Sequence, residues 1–242
     1  MSTRLEVAVA GLAVWNTASG TRPQPSILPP NERRRAPDTV AVALEVGQAA
    51  CLAAGRDPAQ LPAVFASTYG DLAITDYMCG TLATAPTTLS PTRFHNSVHN
   101  AAAGYWSIAT GCRHPYCALG AGQYSFAAGL MAAALQVCAD QSDVLLVAYD
   151  IEARGPLAQV AHSHGILGVA LVLSPPAAAA AALQLSVAEG GSPVAFPSGS
   201  TNAMTAVLPL VAALERKATE DLQLPLGPQS SLQVSVRHGP QA

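Results

Sequence analysis

Strand-like and helix-like apolar segments alternate along this chain, with turn and loop signals between them. Leu5 to Val14 is apolar and partly β-branched, ends near Trp15, and reads as a buried strand. Thr17 to Pro37, with five prolines among its residues, is a loop. Asp38 is expected to N-cap a helix through Val42, Leu44, Val46 and Ala50 to about Ala54, where Gly55 stops it. Leu61 to Ser67 is the next strand, followed by a Thr68-Tyr69-Gly70-Asp71 turn and a helix to about Leu82. Thr84 to Pro91 is loop, and Asn96 to Thr110 a helix. Tyr116 to Ala121 is a short strand that turns at Gly120-Ala121-Gly122 into a helix from about Gln123 to Ala139. That helix has little polar face, which predicts burial nearly all round.

Asp143 to Tyr149 is a continuous apolar strand, the pattern of a sheet covered on both faces, and Gly165 to Leu173 is another. Pro175 to Ala182 reads as a connector, Leu183 to Ala188 as a strand and Gly190 to Thr201 as a loop. Asn202 opens a helix through Met204, Val207, Leu208, Val211 and Leu214 to about Ala218, and Leu232 to Val236 is the last strand. The alternation predicts an α/β fold, a mainly parallel sheet covered by helices.

Composition narrows the possibilities. Half of the 242 residues are hydrophobic, enough for a sizeable core, and only 11% are charged. So few charges suggest surface covered by another subunit. A net charge of −3 offers no basic field for nucleic acid, and the one basic run, Arg33-Arg34-Arg35, reads as a solvated loop. Five cysteines, odd in number and without a C-x-x-C pair, fit neither a disulfide framework nor a zinc site. No apolar stretch is long enough to span a bilayer, so a cytoplasmic protein is expected.

The chemistry concentrates between Ser90 and Ala139. A strand turning sharply into a buried helix sets one side chain at the helix N-terminus, where backbone N–H groups and the dipole favour developing negative charge. Many enzymes place a nucleophile there. The residue is Gln123, and an amide is neither a nucleophile nor a base. His95 and His99 stand at a spacing that suits a metal on a helix face, but no third ligand is evident, so loop and cap roles are the expectation and no metal is. His162 and His164 precede a strand and read as loop residues, and a Cys117–His114 pair competes with a buried structural Cys.

The segment Phe94 to Gly111, with Ser97-Val98, Asn100, Ala103-Gly104, Ser107-Ile108 and Gly111 in order, resembles the β-ketoacyl synthases of the thiolase superfamily. Laying Gly122-Gln123-Tyr124-Ser125 on that family's active-site turn puts Gln123 at the position of its nucleophilic Cys. Glutamine there is similar to the chain-length factors, the inactive partners of heterodimeric ketosynthases, and in particular to the short factors of aryl polyene synthesis. The likeness covers most of Arg4 to Pro175. It implies a thiolase-like layered αβα fold with a ketosynthase-like N-terminal half at 1–174. It further implies, over 175–242, a connector and a shortened remnant packed on the same domain, without the histidines of the family's second half.

What the resemblance implies for function follows. No residue would be catalytic and no cofactor is expected. Tyr69 and Asp71 align with the segment lining the acyl tunnel, and Arg93 and Phe94 with the segment that crosses the dimer interface. Tyr69 and Phe94 read equally well as core aromatics, and Gln123 also as a helix-end residue satisfying backbone groups. The implied partners are an active ketosynthase subunit and, through it, acyl carrier protein. The alternative is a stand-alone thiolase-fold acyltransferase or malonyl decarboxylase using a remaining Cys or His.

Overall fold

A computed structural model of the protein describes residues 4–19, 22–153, 155–159, 161, 163–176, 181–190, 194–196 and 201–238. His162, much of the connector and most of the 190–201 loop lie outside these residues. The strands are β1 (Leu5–Asn16), β2 (Ala63–Ala66), β3 (Tyr116–Leu119), β4 (Val144–Ile151), β5 (Ile166–Ser174), β6 (Ala181–Glu189), β7 (Glu220–Gly227) and β8 (Ser230–His238). The helices are α1 (Pro30–Arg35), α2 (Asp38–Ala54), α3 (Leu72–Thr84), α4 (Pro91–Ser97), α5 (Ala101–Thr110), α6 (Ser125–Asp140) and α7 (Leu208–Glu215).

All eight strands join one sheet in the order β3-β2-β4-β5-β1-β6-β8-β7. Among the described residues only β2 runs parallel to its neighbours, β3 and β4; every other strand pairing is antiparallel. The sheet is therefore mixed, not mainly parallel as the alternation suggested. A parallel pair needs a crossover, usually a helix. Here β4 returns into β5 through residues 152–165, whose described residues hold only the 3-10 turn Gly155–Gln159, and β7 folds straight back on β8, so those chain reversals are antiparallel.

The layered αβα arrangement is present. One core cluster packs Phe126, Leu130, Ala133 and Val137 of α6, with Val207 and Leu210, against Val64, Leu146 and Val169. The other packs Val42, Leu44 and Val46 of α2, with Trp106 of α5, against Phe65, Leu145 and Val147. Neighbouring strand residues such as Leu145 and Leu146 thus feed opposite cores, which is why β4 is apolar without alternation.

Several boundaries differ from expectation. The single helix over 96–110 is two helices: Ser90 accepts from the Arg93 N–H to start α4 earlier, and Val98, extended at φ −75 and ψ 140, breaks the run before α5. Asp38 is the first residue of α2 and Pro37 its cap; the Asp38 carboxylate takes the Arg22 guanidinium at 2.8 Å instead. Gly55 ends α2 in the left-handed region as expected. Helix α6 begins at Ser125, and its burial is one-sided, with Leu135 48% exposed. The loop before α2 contains α1, and β7 escaped notice because Pro225 and its charged start mask the strand pattern.

Gly11 shows how closely α2 lies on the sheet. A Cβ there would stand 2.3 Å from the Ala50 carbonyl oxygen and 2.8 Å from Ala54 Cβ, and the former is backbone that cannot swing aside. Gly11→Ala is expected to destabilise the fold by about 3 kcal/mol, the upper end of overpacking costs. Denaturant unfolding monitored by circular dichroism checks this; an unchanged midpoint would show that α2 does not press on β1.

Candidate functional site

The site forms where the ends of β2, β3 and β4 meet the N-terminus of α6. After β2 the chain runs Ser67-Thr68-Tyr69-Gly70-Asp71 into α3, and Asp71 caps that helix by accepting from the Ile74 N–H at 2.9 Å. After β3 it turns at Gly120-Ala121-Gly122, with Gly122 at φ 55, and backbone bonds Tyr124 N to Ala121 O and Ser125 N to Gly122 O close the turn. Ser125 is fully buried; its Oγ accepts from the Ala121 N–H at 2.9 Å and lies within donating distance of Gly122 O (2.6 Å) and Ser67 O (3.2 Å).

The two loops are pinned together. A Cβ at Gly120 would stand 3.0 Å from Thr68 O and 3.1 Å from both Ser67 O and His99 Nε2. His99 sits in the turn between α4 and α5, which the Ala101 N–H to Val98 O bond closes, and places Nε2 3.2 Å from Ser67 O. The break at Val98 that sequence reasoning missed is what lets the ring reach this position.

The five residues singled out in sequence do not converge on one point. Gln123 is exposed at the turn, and its Nε2 donates to the Tyr124 hydroxyl at 3.0 Å. Tyr69 is 49% exposed and directs its hydroxyl toward the same turn, 4.0 Å from where a Gly122 Cβ would stand. Phe94 is 57% exposed on α4. Arg93 lays its guanidinium 4.0 Å over the Tyr77 ring of α3. Asp71 is buried; Thr39 Oγ1 donates to its Oδ2 at 3.1 Å, and burial raises its carboxyl above the ordinary range against those hydrogen bonds. Asp71 and Arg93 share the wall of a separate cleft that Tyr69, Phe94 and Gln123 do not line.

His95 and His99 diverge, His95 packing at 5.8 Å from the Tyr105 ring, and among the described residues no group of three or more His, Cys, Asp or Glu is placed to hold a metal. Cys117 is free and exposed on β3, without a hydrogen bond to His114 among the described residues. Also among the described residues, no helix is long and apolar enough to cross a membrane.

Asp150 went unnoticed in the sequence. It is the penultimate residue of β4 and is 3% exposed, yet it makes no ion pair among the described residues; its carboxylate accepts from Thr68 Oγ1 (2.7 Å), Ser67 Oγ (3.3 Å) and Ser163 Oγ. Asn202 Nδ2 donates to its backbone oxygen at 3.4 Å, and Ser163 Oγ accepts from the Ala203 N–H at 3.1 Å. The network thus ties the C-terminal segment to the loop that carries Tyr69. The available signal was a lone carboxylate ending an otherwise apolar strand, a polar group that must find partners inside.

The sequence profile described as "Beta-ketoacyl synthase, N-terminal domain" matches residues 11–224. No curated protein sequence matches. The fold is similar to a structure of the ketosynthase ApeO in complex with its chain length factor ApeC from Xenorhabdus doucetiae, at 22% identity and TM-score 0.69 over 97% of both chains. It is similar to the ishigamide ketosynthase/chain length factor, at 13% identity and TM-score 0.68 over 97% of this chain and 99% of that one. It also resembles 3-oxoacyl-[acyl-carrier-protein] synthase III from Aquifex aeolicus, at 9% identity and TM-score 0.56 over 96% of this chain and 100% of that one.

Burial pushes the Asp150 carboxyl up, and the hydroxyl donors only partly offset it. A group whose pKa is raised on folding, from about 3.9 in the unfolded chain, contributes stability that is fully present below that value and lost as pH rises through the folded pKa. Stability is therefore expected to fall across that window, and the part due to Asp150 to vanish in Asp150→Asn. Asp150→Ala, which leaves several buried hydroxyls without an acceptor, should cost about 1–3 kcal/mol or more. Unfolding midpoints measured across pH for the three proteins check the sign; a slope unchanged in Asp150→Asn refutes it.

Proposed function

The chain belongs to the β-ketoacyl synthase N-terminal domain family, and from that premise we propose that it is a non-catalytic chain-length factor. It pairs in the cytoplasm with an active β-ketoacyl-acyl carrier protein synthase and shapes the tunnel for an aryl polyene or similar polyketide chain carried by acyl carrier protein. The observation that carries this reading is Gln123. It occupies the turn at the start of α6, where the family's nucleophile is expected, and its amide is spent on the Tyr124 hydroxyl. The neighbouring hydroxyl, Ser125, is sealed from solvent and engaged with backbone groups. After residue 175 the sequence holds one histidine, His238, and it lies far along β8 rather than at the turn.

Support for a partner comes from β3. It is the terminal strand of the sheet, bonded to β2 on one side, with Tyr116 42% exposed. Phe94, Val98 and Ile108 on the adjoining helices and link are exposed too, an arrangement that strand addition and apolar packing by a second subunit would cover. ApeC and the ishigamide factor are described as chain length factors in complexes with ketosynthases, which fits the same role here. In this reading Tyr69, Gln123 and Phe94 face the tunnel and interface. Asp71 fixes the turn that carries Tyr69, and Arg93, stacked on Tyr77, holds α4 against α3.

Co-expression with a cognate ketosynthase, followed by sizing and mass measurement, is expected to give a stable heterodimer, and the chain alone should transfer no acyl group from labelled acyl carrier protein. A monomer that ignores the ketosynthase overturns the pairing. Acyl transfer by the chain alone overturns the non-catalytic role.

Tyr69→Ala should shift the products of the reconstituted complex toward longer chains while early elongation proceeds normally. A rigid polyene cannot coil around an obstruction, so removing the ring opens length without touching the chemistry. Because Tyr69 is half exposed in this subunit, the substitution should leave folding nearly unaffected. Mass spectrometry of the products checks it; unchanged lengths from an assembled complex remove Tyr69 from the tunnel wall.

A further inference from the structure

Tyr69 stands at the tip of the short link from β2 to α3, and the chain on either side of it is tied to one buried group. Thr68, before it, places Oγ1 2.7 and 2.8 Å from the two oxygens of the Asp150 carboxylate. Gly70, after it, donates its N–H to Ser67 Oγ at 3.1 Å, and that hydroxyl donates in turn to Asp150 Oδ1 at 3.3 Å. With both neighbours held, the Tyr69 backbone is fixed and only its side-chain torsions stay free, so the half-exposed ring sweeps a narrow arc.

The carboxylate is held from the far end of the chain as well. Ser163 Oγ donates to Asp150 Oδ2 and accepts the Ala203 N–H at 3.1 Å. Ala203 opens the 3-10 turn Ala203–Val207, where Asn202 Oδ1 caps by accepting from the Met204 N–H at 3.0 Å. Met204 and Val207 are fully buried in the core on the α6 side, which anchors that turn. A continuous run of hydrogen bonds therefore joins the backbone of Gly70 to the backbone of Ala203, with Asp150 at its middle.

The chemistry of the middle residue is dictated by its neighbours. Both serine hydroxyls already accept a backbone N–H, and each aims its own proton at Asp150. Only a group that accepts on both sides completes the run, and an ionised carboxylate is such a group. An amide of the same shape presents one acceptor and one donor, so one of the serines loses its acceptor and the run breaks on that side.

We propose that Asp150 is a positioning residue for Tyr69, fixing the place of its ring according to how the segment around Asn202 and Ala203 packs. For chain length this rests on the tunnel reading of Tyr69, in which a clamped ring gives a sharp length limit and a loose one a blurred limit.

The test uses the full-length chain labelled with 3-fluorotyrosine, alone and with its cognate ketosynthase where the two assemble, and Tyr69→Phe identifies the Tyr69 fluorine signal. Asp150→Asn should shift or broaden that signal. Ser163→Ala should do the same, although among the described residues the Ser163 hydroxyl bonds to Asp150 and Ala203 and to nothing in the Tyr69 loop. Val234→Ala, a truncation in the core of β8 well across the sheet, should lower the unfolding midpoint and leave the signal in place. In the reconstituted complex, Ser163→Ala should raise the share of products beyond the wild-type length about fivefold, the shift that loss of one hydrogen bond allows, and should add nothing on top of Tyr69→Ala. A Tyr69 signal untouched by Ser163→Ala, or moved as far by Val234→Ala, overturns the proposal. Unchanged lengths in Ser163→Ala, with Tyr69→Ala lengthening the products, overturn it too. If Tyr69→Ala leaves the lengths unaltered, the tunnel reading falls and the fluorine signal alone decides whether Asp150 positions the ring. If Asp150→Asn does not fold, Ser163→Ala decides.

Discussion

The structure depends on close approach of helices to both faces of one sheet. Strands β4 and β5 are buried front and back, so α2 and α6 must each lie at backbone distance from them. On the α6 side the position that permits this is Gly129, where a Cβ would stand 2.9 Å from Ala66 Cβ and 3.1 Å from Leu146 Cδ1. That contact sets how far α6 advances along β2. The turn ahead of α6 consequently meets the loop after β2, with Gly120 against the Ser67 and Thr68 carbonyls. The geometry around Gln123 is thus an outcome of apolar packing six residues further along the chain.

A second dependence is polar. Asp150 is held by three hydroxyls and makes no ion pair among the described residues, an expensive arrangement whose partners must all be present together. They come from the β2 end and from residue 163, while Asn202 and Ala203 attach to the same cluster. Residues distant in sequence are thereby held to a common geometry beside Tyr69, and the segment after the connector has a direct mechanical claim on that loop.

Much of this was legible in the sequence where one local rule dominates. The apolar runs of β4 and β5 announced a sheet covered on both faces, Gly55 ended α2, and the Gly120–Gly122 turn stood out between β3 and α6. Strand direction was not legible, because it depends on what links the strands, and the described residues of 152–165 carry too little helix to cross over. The Val98 break was hidden in a segment whose composition suits a helix throughout, and its purpose shows only in the contact between His99 and Ser67. Asp150 was likewise hidden: it is a single polar residue whose importance comes from burial, which no periodicity reports.

The two ends of the sheet are unlike. At one end β3 is short, carries exposed Tyr116, and has no charged residue in its four positions. At the other, β7 contains Pro225, which removes a backbone donor, and its first residues are tied up in the Arg216–Glu220 and Arg237–Asp221 ion pairs. A sheet receptive at both ends can recruit copies indefinitely and grow into a fibre. Pro225 and the two ion pairs blunt one end of this sheet and leave β3 as the end more open to a neighbour.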